Sequence, residues 1–458
     1  MRENMSHKQK TLWTKDFTSI TIATILTAVG GEAMNLPISL LVFDETGSTF
    51  LSALVLICGV LPDVVLSVLA APLIDKGGKK KWIVGLDILT AVLYAMMGLY
   101  ISVHAFNYLL YLIFVLAVGT ISVFYRLAYD AWYPNLIPNG MEQKGYAVSN
   151  TIYPLVIIAM SPAATFLYEK ISMAHIFYLV SGITMVSVIV ESRIHEEKEE
   201  AQDDYTWKQY CQDIREGFHY LKKEKGIRNI YTYMSITSGV SDGNTVLIQA
   251  FYQTVPWLTV TMLGFLKSAE MIGRGLGGIF QYKKEIPVKK RYAFTKFVYT
   301  VYGLMDILLL YLPYPLMLCN RFLCGALGIS SATIRETAVQ SYLPENMRAR
   351  INAFFNMVFA IGSVAFQMAA GALGQIMSYR FAILLLATIE LTAMFLLICL
   401  PPRIRGGPKR RVVLINLLAV LSQRFDLRRR RTACRRLSLD ESGADLRPAE
   451  RDVVHQRI

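Results

Sequence analysis

The sequence predicts an all-α membrane protein with twelve transmembrane helices in two six-helix, pseudo-repeated bundles. Three observations predict it: twelve apolar stretches of bilayer length, basic residues gathered on alternate connections, and an internal repeat at offsets of 206 to 209 residues. Composition agrees. Of 458 residues, 54% are hydrophobic and 18% charged, against about 25% charged in a soluble domain. Mean hydropathy is +0.39. The net charge of +13 would suggest a nucleic-acid surface only if the basic residues formed a patch on a soluble domain.

A bilayer-spanning helix needs roughly 20 mostly apolar residues. Backbone groups in hydrocarbon must be satisfied within the segment, so each apolar run reads as a helix. The basic N-terminus, MRENMSHKQK, precedes a run too long for a signal-peptide core, so 17–43 reads as an uncleaved first span. Spans follow at 49–74, 82–103, 107–130, 145–168 and 174–192. They give an N-terminal bundle over 1–192.

The polar connection 193–228 breaks the rhythm. Tyr210, Ile214, Phe218 and Leu221 recur within it at helical spacing, which predicts a short amphipathic helix along the inner membrane surface. The second bundle, 229–402, holds spans 229–252, 257–281, 292–312, 315–339, 349–374 and 379–400.

Residues 403–458 differ from everything before them. They carry 14 Arg and one Lys and a net charge of +9, whereas residues 1–402 carry +4. This is the pattern of a disordered cytoplasmic tail or of an out-of-frame extension. The alternative is a genuine basic tail on anionic lipid.

Orientation follows from the short loops. One set of connections holds Lys8, Lys10, Lys15, Lys76, Lys79, Lys80, Lys81, Lys144, Lys222, Lys223, Lys225, Lys283, Lys284, Lys289, Lys290, Arg291, Arg348 and Arg350; the other holds little beyond Lys170 and Arg380. Both termini are expected in the cytoplasm, in a multi-pass plasma-membrane protein.

The repeat is visible residue by residue. A shift of 206 places Asp130 on Glu336, Pro138 on Pro344, Ala147 on Ala353 and Asn150 on Asn356. A shift of 207 places Asp63 on Glu270, and a shift of 209 places Gly30 and Asn35 on Gly239 and Asn244. Two parallel six-helix halves, with a site between them near mid-membrane, are the repeat pattern of a secondary transporter.

Ionisable groups inside spans are costly and are functional candidates by default. Glu32, in Gly30-Gly31-Glu32-Ala33-Met34-Asn35, lies at mid-membrane depth and could carry a proton, or form a structural hydrogen bond to a neighbouring helix. Asp242 occupies the corresponding depth in span seven. Asp63 follows Pro62, and its repeat mate Glu270 precedes Arg274 by four residues, so that acid and base share a helix face and can neutralise each other. Asp306, Asp87 and Glu390 are further single acids. Arg126, Asp130, Arg335 and Glu336 lie towards the cytoplasmic ends of spans four and ten.

Between spans two and three stands Ala71-Pro-Leu-Ile-Asp75-Lys-Gly-Gly78-Lys-Lys-Lys81. It resembles the G-x-L-x-D-R-x-G-R-K/R loop of the major facilitator superfamily, departing at Ala71. Thr46-Gly47-Ser48, Trp132-Tyr-Pro134-Asn-Leu-Ile-Pro138 and Asp213-Ile-Arg-Glu216-Gly217-Phe-His-Tyr220-Leu resemble its macrolide-efflux and enterobactin-exporter-like branch. The resemblance covers about residues 12–402. It implies a cytoplasmic latch at Asp75, Lys76, Gly78, Lys79 and Lys80, with Arg126, Asp130 and Glu336 in the same gate region. There are departures. The second-half loop, Gly277-Gly278-Ile-Phe-Gln281-Tyr282-Lys283-Lys284, lacks the acid. Val115 stands where drug antiporters often carry an Arg four residues before a Gly, here Gly119. Span five reads Ser161-Pro162-Ala163-Ala164 where they often have Gly-Pro and a Gly pair.

The expected function is export of a hydrophobic or amphipathic small molecule by alternating access, coupled to protons. The alternatives are uptake or uniport of a polar solute, and a non-transporting sensor or scaffold. The abundant Tyr, Phe and Met suit such a pocket and equally suit helix packing. No catalytic constellation, cofactor loop or metal triad is expected, so the chain reads as no enzyme. The six cysteines match no metal or redox spacing. Gly273-x-Gly275-x-Gly277-Gly278 lies inside a span and reads as close helix packing rather than a nucleotide loop. The expected partners are a small-molecule substrate, protons and the lipid bilayer, not nucleic acid, and the expected unit is a monomer.

Overall fold

The computed structural model describes residues 11–69, 78–138, 141–195, 212, 215, 219, 224–283, 286–342 and 348–399. Asp75 and Lys76, the four repeat residues Tyr210, Ile214, Phe218 and Leu221, and the Arg-rich segment from 403 lie outside them.

Among the described residues there are twelve long α-helices, each on one of the expected apolar runs: α1 Lys15–Thr46, α2 Thr49–Leu69, α3 Lys79–Val103, α4 Tyr108–Trp132, α5 Glu142–Lys170, α6 Met173–Ser192, α7 Lys225–Thr254, α8 Val260–Lys283, α9 Val288–Leu309, α10 Tyr314–Tyr342, α11 Arg348–Ile376 and α12 Tyr379–Met394. The last expected span does not stay α-helical, because Phe395–Cys399 winds as a π turn. Local chemistry sets several ends. The Thr14, Asn107 and Ser378 side chains accept from the backbone N–H three residues on. Gly47 closes α1 in the left-handed region at φ 64°, a conformation that penalises any Cβ. The Trp132–Pro138 motif forms a short 3₁₀ turn, Tyr133–Leu136, whose Tyr133 hydroxyl donates to the Gly145 carbonyl at 2.8 Å.

Eight of the helices are long and apolar enough to cross a membrane; α2 qualifies only as a shorter apolar stretch, Thr49–Val64, and α7, α8 and α9 fall short. These three carry Asp242, Lys267, Glu270, Arg274 and Asp306, which lower their hydropathy. The surface explains how such helices pack. Met96, Leu99, Val103 and Leu109 on α3 and α4 are more than 60% exposed, whereas Glu32, Asp87, Glu191, Asp306, Arg321 and Glu390 are buried. Apolar-outside and charged-inside is the order imposed by lipid rather than water. The chain is a multi-pass membrane protein.

Packing follows the repeat. α1 packs on α2, α5 and α6; α2 on α4; α3 on α4 and α6. The same pattern recurs six helices later, with α7 on α8, α11 and α12, α8 on α10, and α9 on α10 and α12. The two sets meet through α2 on α11, α5 on α8 and α1 on α7. Repeat-related glycines make equivalent crossings. A Cβ at Gly119 of α4 would strike the Gly59 carbonyl of α2, and one at Gly325 of α10 would strike the Glu270 carbonyl of α8. Gly273 and Gly277 press likewise on Phe322 and Ala326 of α10, so the glycine run in span eight is a helix-packing seam.

Candidate functional site

Every described hydrogen bond between the first six and last six helices lies in the half nearer the α1–α2 turn. At the outer end of this seam, Gln375 donates to the Ser48 hydroxyl, and the Thr49 hydroxyl donates to the Gly371 carbonyl at 3.1 Å. Below it, Gln253 donates to Asp44 at 2.8 Å and to the Leu40 carbonyl at 2.9 Å, and Gln249 donates to Ser39 at 3.0 Å. Tyr168 donates to Asp44 at 2.5 Å, Glu169 accepts from the Thr261 N–H at 2.7 Å, and Ser268 donates to the Ile158 carbonyl at 2.7 Å.

Beyond this seam the helices part around two connected chambers. The larger, about 830 Å³, is walled by the first six helices and bordered by Tyr94, Tyr125, Tyr129, Tyr153, Asp63, Asp87, Arg126 and Asp130. The smaller, about 240 Å³, lies between the two sets of helices and is lined by Ser241, Asn244, Gln249, Lys267, Glu270, Asp306 and Arg321. Glu32, Asn35 and Ile157 border both.

Glu32 is at this junction. Its Oε1 accepts from the Ser161 hydroxyl at 2.6 Å and lies 3.7 Å from Lys267 Nζ of α8. The expected lone carboxylate therefore has a cationic neighbour in the other half of the chain. Asp306 is held more tightly: Arg321 Nη2 stands 2.8 Å from it, and Asn244 donates to it at 2.9 Å. Both charges of this pair are buried.

Asp242 is placed differently. It accepts from Ser363 of α11, whose oxygen also accepts from Gln367 at 2.8 Å, and it borders neither chamber. The repeat explains this. The shift that superposes Gly30 on Gly239 places Glu32 on Ser241, and one residue further turns a side chain by about 100° around the helix. Ser241 faces the chamber and Asp242 faces α11.

Glu270 pairs with Arg274 at 2.9 Å on its own helix, as the four-residue spacing predicts. Its repeat mate Asp63 pairs across helices instead, accepting both guanidinium nitrogens of Arg126 on α4. Asp130 adds its charge to the same guanidinium, so this group faces the large chamber. Lys80 donates to the Ile194 carbonyl at 2.7 Å, a cation at the C-terminal end of α6. Gly78 is the N-cap position of α3 that Lys79 begins. Arg335 donates to the Tyr299 hydroxyl at 3.3 Å. The Glu336 side chain lies outside the described residues, as do Asp75 and Lys76.

Lys267, Arg321 and Glu191 are functional candidates that the sequence alone does not single out. A lone base inside an apolar span was the available signal for the first two. Arg321 stands four residues before Gly325, and the 206-residue shift places it on Val115 and Gly325 on Gly119. The Arg-to-Gly spacing missing from span four is present in span ten.

The major facilitator superfamily matches residues 20–295, more than half of the chain. The chain belongs to the major facilitator superfamily. Its fold is accordingly that of a secondary transporter. Among solved structures it is similar to a mutant of the nucleoside transporter NupG, at a TM-score of 0.61 and 10% sequence identity, covering 84% of this chain and 99% of that one. A likeness at that identity speaks for the fold alone. No curated protein sequence matches.

Proposed function

We propose that this major facilitator chain exports an amphipathic small molecule by alternating access, coupled to protons, with all twelve helices crossing the membrane as two six-helix bundles. One observation carries the reading: the paired chambers, held closed at the α1–α2 end by the inter-half seam and joined at Glu32. The tyrosine-rich chamber offers aromatic faces with hydroxyl edges, and the smaller chamber offers charge and amide hydrogen bonds. An amphipathic solute uses both. With the lysine-rich connections in the cytoplasm, the seam closes the outer face and the chambers load from within. Glu32 and Lys267 bridge the bundles, so protonating Glu32 removes their attraction and favours separation there.

The test is transport by the full chain in proteoliposomes with an imposed proton gradient, using a panel of amphipathic dyes, macrolides and polar solutes. Amphipathic substrates moving outward, with loss of transport on adding an uncoupler, are the expected results. Gradient-independent flux would remove the coupling.

The lining of the smaller chamber favours a second reading, uptake of a polar solute. Two ion pairs and the Asn35, Asn244 and Gln249 amides border it. Accumulation of a polar solute by inside-out and right-side-out vesicles separates the two directions.

A further inference from the structure

We propose that Asp87 and Glu191 form a proton-binding site, distinct from the Glu32 and Arg321 ion pairs, in which two buried carboxylates hold one proton between them. Asp87 is on α3 and Glu191 on α6, helices packed against each other. They are 4% and 0% exposed, and Glu191 lies within reach of the charge of Asp87.

Among the described residues, the groups acting on the two acids are hydroxyls and no base. Tyr125 of α4 donates to Glu191 Oε1 at 3.1 Å, Ser187 donates to the same oxygen at 3.5 Å, and Thr27 of α1, 3.3 Å from the Ser187 hydroxyl, lies near Asp87. The other titratable groups within reach of Asp87 are Tyr153 of α5 and Tyr94 on its own helix. Arg126 borders the same chamber but is engaged by Asp63 and Asp130. Asp87 Oδ2 and Glu191 Oε2 are sealed from solvent and have no hydrogen-bond partner among the described residues. Two buried carboxylates on packed helices, each within reach of the other's charge, disfavour double ionisation, and an uncompensated buried charge is among the costliest arrangements a protein can hold.

The repeat sharpens the case. The helices equivalent to α3 and α6 are α9 and α12, and they too bring together two buried acids, Asp306 and Glu390. There Arg321 of α10 supplies the positive charge. Its counterpart in α4 is Val115, so the first half keeps the acids without the cation, and a proton fills that place. Asp87 borders the large chamber and Glu191 does not. The proton therefore enters at Asp87: a hydronium ion in chamber water loses a proton, an O–H bond forms on the carboxylate, and water is left behind. Use of this site for coupling rests on the transport reading above; its occupancy does not.

The test is pH-titrated infrared spectroscopy of the full chain in lipid nanodiscs, without substrate. The wild type should show a protonated-carboxyl stretch that disappears as pH rises. Asp87→Asn and Glu191→Gln should each lose it, while Asp87→Glu retains it at a shifted frequency, which separates loss of the site from loss of the fold. A band unchanged in both neutral variants overturns the proposal. So does stoichiometric binding of radiolabelled sodium that Asp87→Asn abolishes, because a metal cation then takes the proton's place. Uncoupler-insensitive transport with the band intact would instead remove the coupling reading and leave the site standing.

Discussion

Lys267 of α8 stands 3.7 Å from Glu32 of α1, an ionic contact that joins the two halves of the chain where the two chambers meet. Because Lys267 keeps 30% of its side chain open to the cavity, the pair is more open to water and solute than Asp306 and Arg321, which border the same chamber with little exposed surface. Lys267→Met and Glu32→Gln should each slow transport by about tenfold or more, the rate equivalent of one charge-assisted contact. Acting as a unit, they should be non-additive, so the double variant is no slower than the worse single one. Initial rates in proteoliposomes check this; wild-type rates in Lys267→Met would exclude the lysine from the mechanism.

Arg321 and Arg126 both pair with an aspartate, and burial separates their worth. Removing Arg321 leaves the buried Asp306 without its compensating charge, a loss of about 3–5 kcal/mol. Asp63 and Arg126 sit in a wet chamber with side chains 30% and 52% exposed, where an ion pair contributes about 1 kcal/mol or less. Arg321→Met should lower the melting temperature strongly, with partial recovery in Arg321→Met/Asp306→Asn, whereas Arg126→Ala should barely change it. Equal shifts for the two single variants would contradict the assignment.

The fold was legible in the sequence to within a few residues at most helix ends, because lipid writes a simple rule into composition: long apolar runs with lysines at alternate ends. The site was half legible. Glu32 and the Glu270–Arg274 spacing could be read from position alone. Asp242 could not be separated from Glu32, since a single residue of helical register decides which neighbour it meets. Lys267 and Arg321 were visible as bases in apolar runs, but their partners lie on α1 and α9, and no spacing along the chain encodes that. Asp87 and Glu191, more than a hundred residues apart, become a pair only when α3 packs on α6.

Gly325 and Gly275 are both glycines in long helices, yet only one has a neighbour. A Cβ at Gly325 meets the Glu270 backbone, whereas one at Gly275 meets nothing within 4 Å. Gly325→Ala should cost roughly 1–3 kcal/mol through overpacking; Gly275→Ala should be neutral or stabilising by about 0.5–1 kcal/mol. Thermal unfolding in detergent ranks them, and the reverse order would refute the close crossing of α8 and α10.

Gln375 and Ser48 touch across the closed end. On a background with the native cysteines replaced, Ser48→Cys/Gln375→Cys should cross-link under mild oxidation and stop transport, and a reductant should restore it. Cross-linked protein that transports at the uncross-linked rate would show that this seam does not open.

That seam sets amides, hydroxyls and backbone carbonyls beside the apolar contact that Leu36 and Leu40 of α1 make with Leu247 and Ile248 of α7. Each neutral hydrogen bond there nets only about 0.5–1.5 kcal/mol, because water replaces it when the partners separate. A wholly apolar seam of equal extent would lose about 25 cal/mol for every Å² newly wetted, and only part of this one does. Water therefore acts as a substitute partner during opening, and the closed and open forms can lie close in free energy, so that a modest bias from a bound solute or a single proton is enough to exchange their populations.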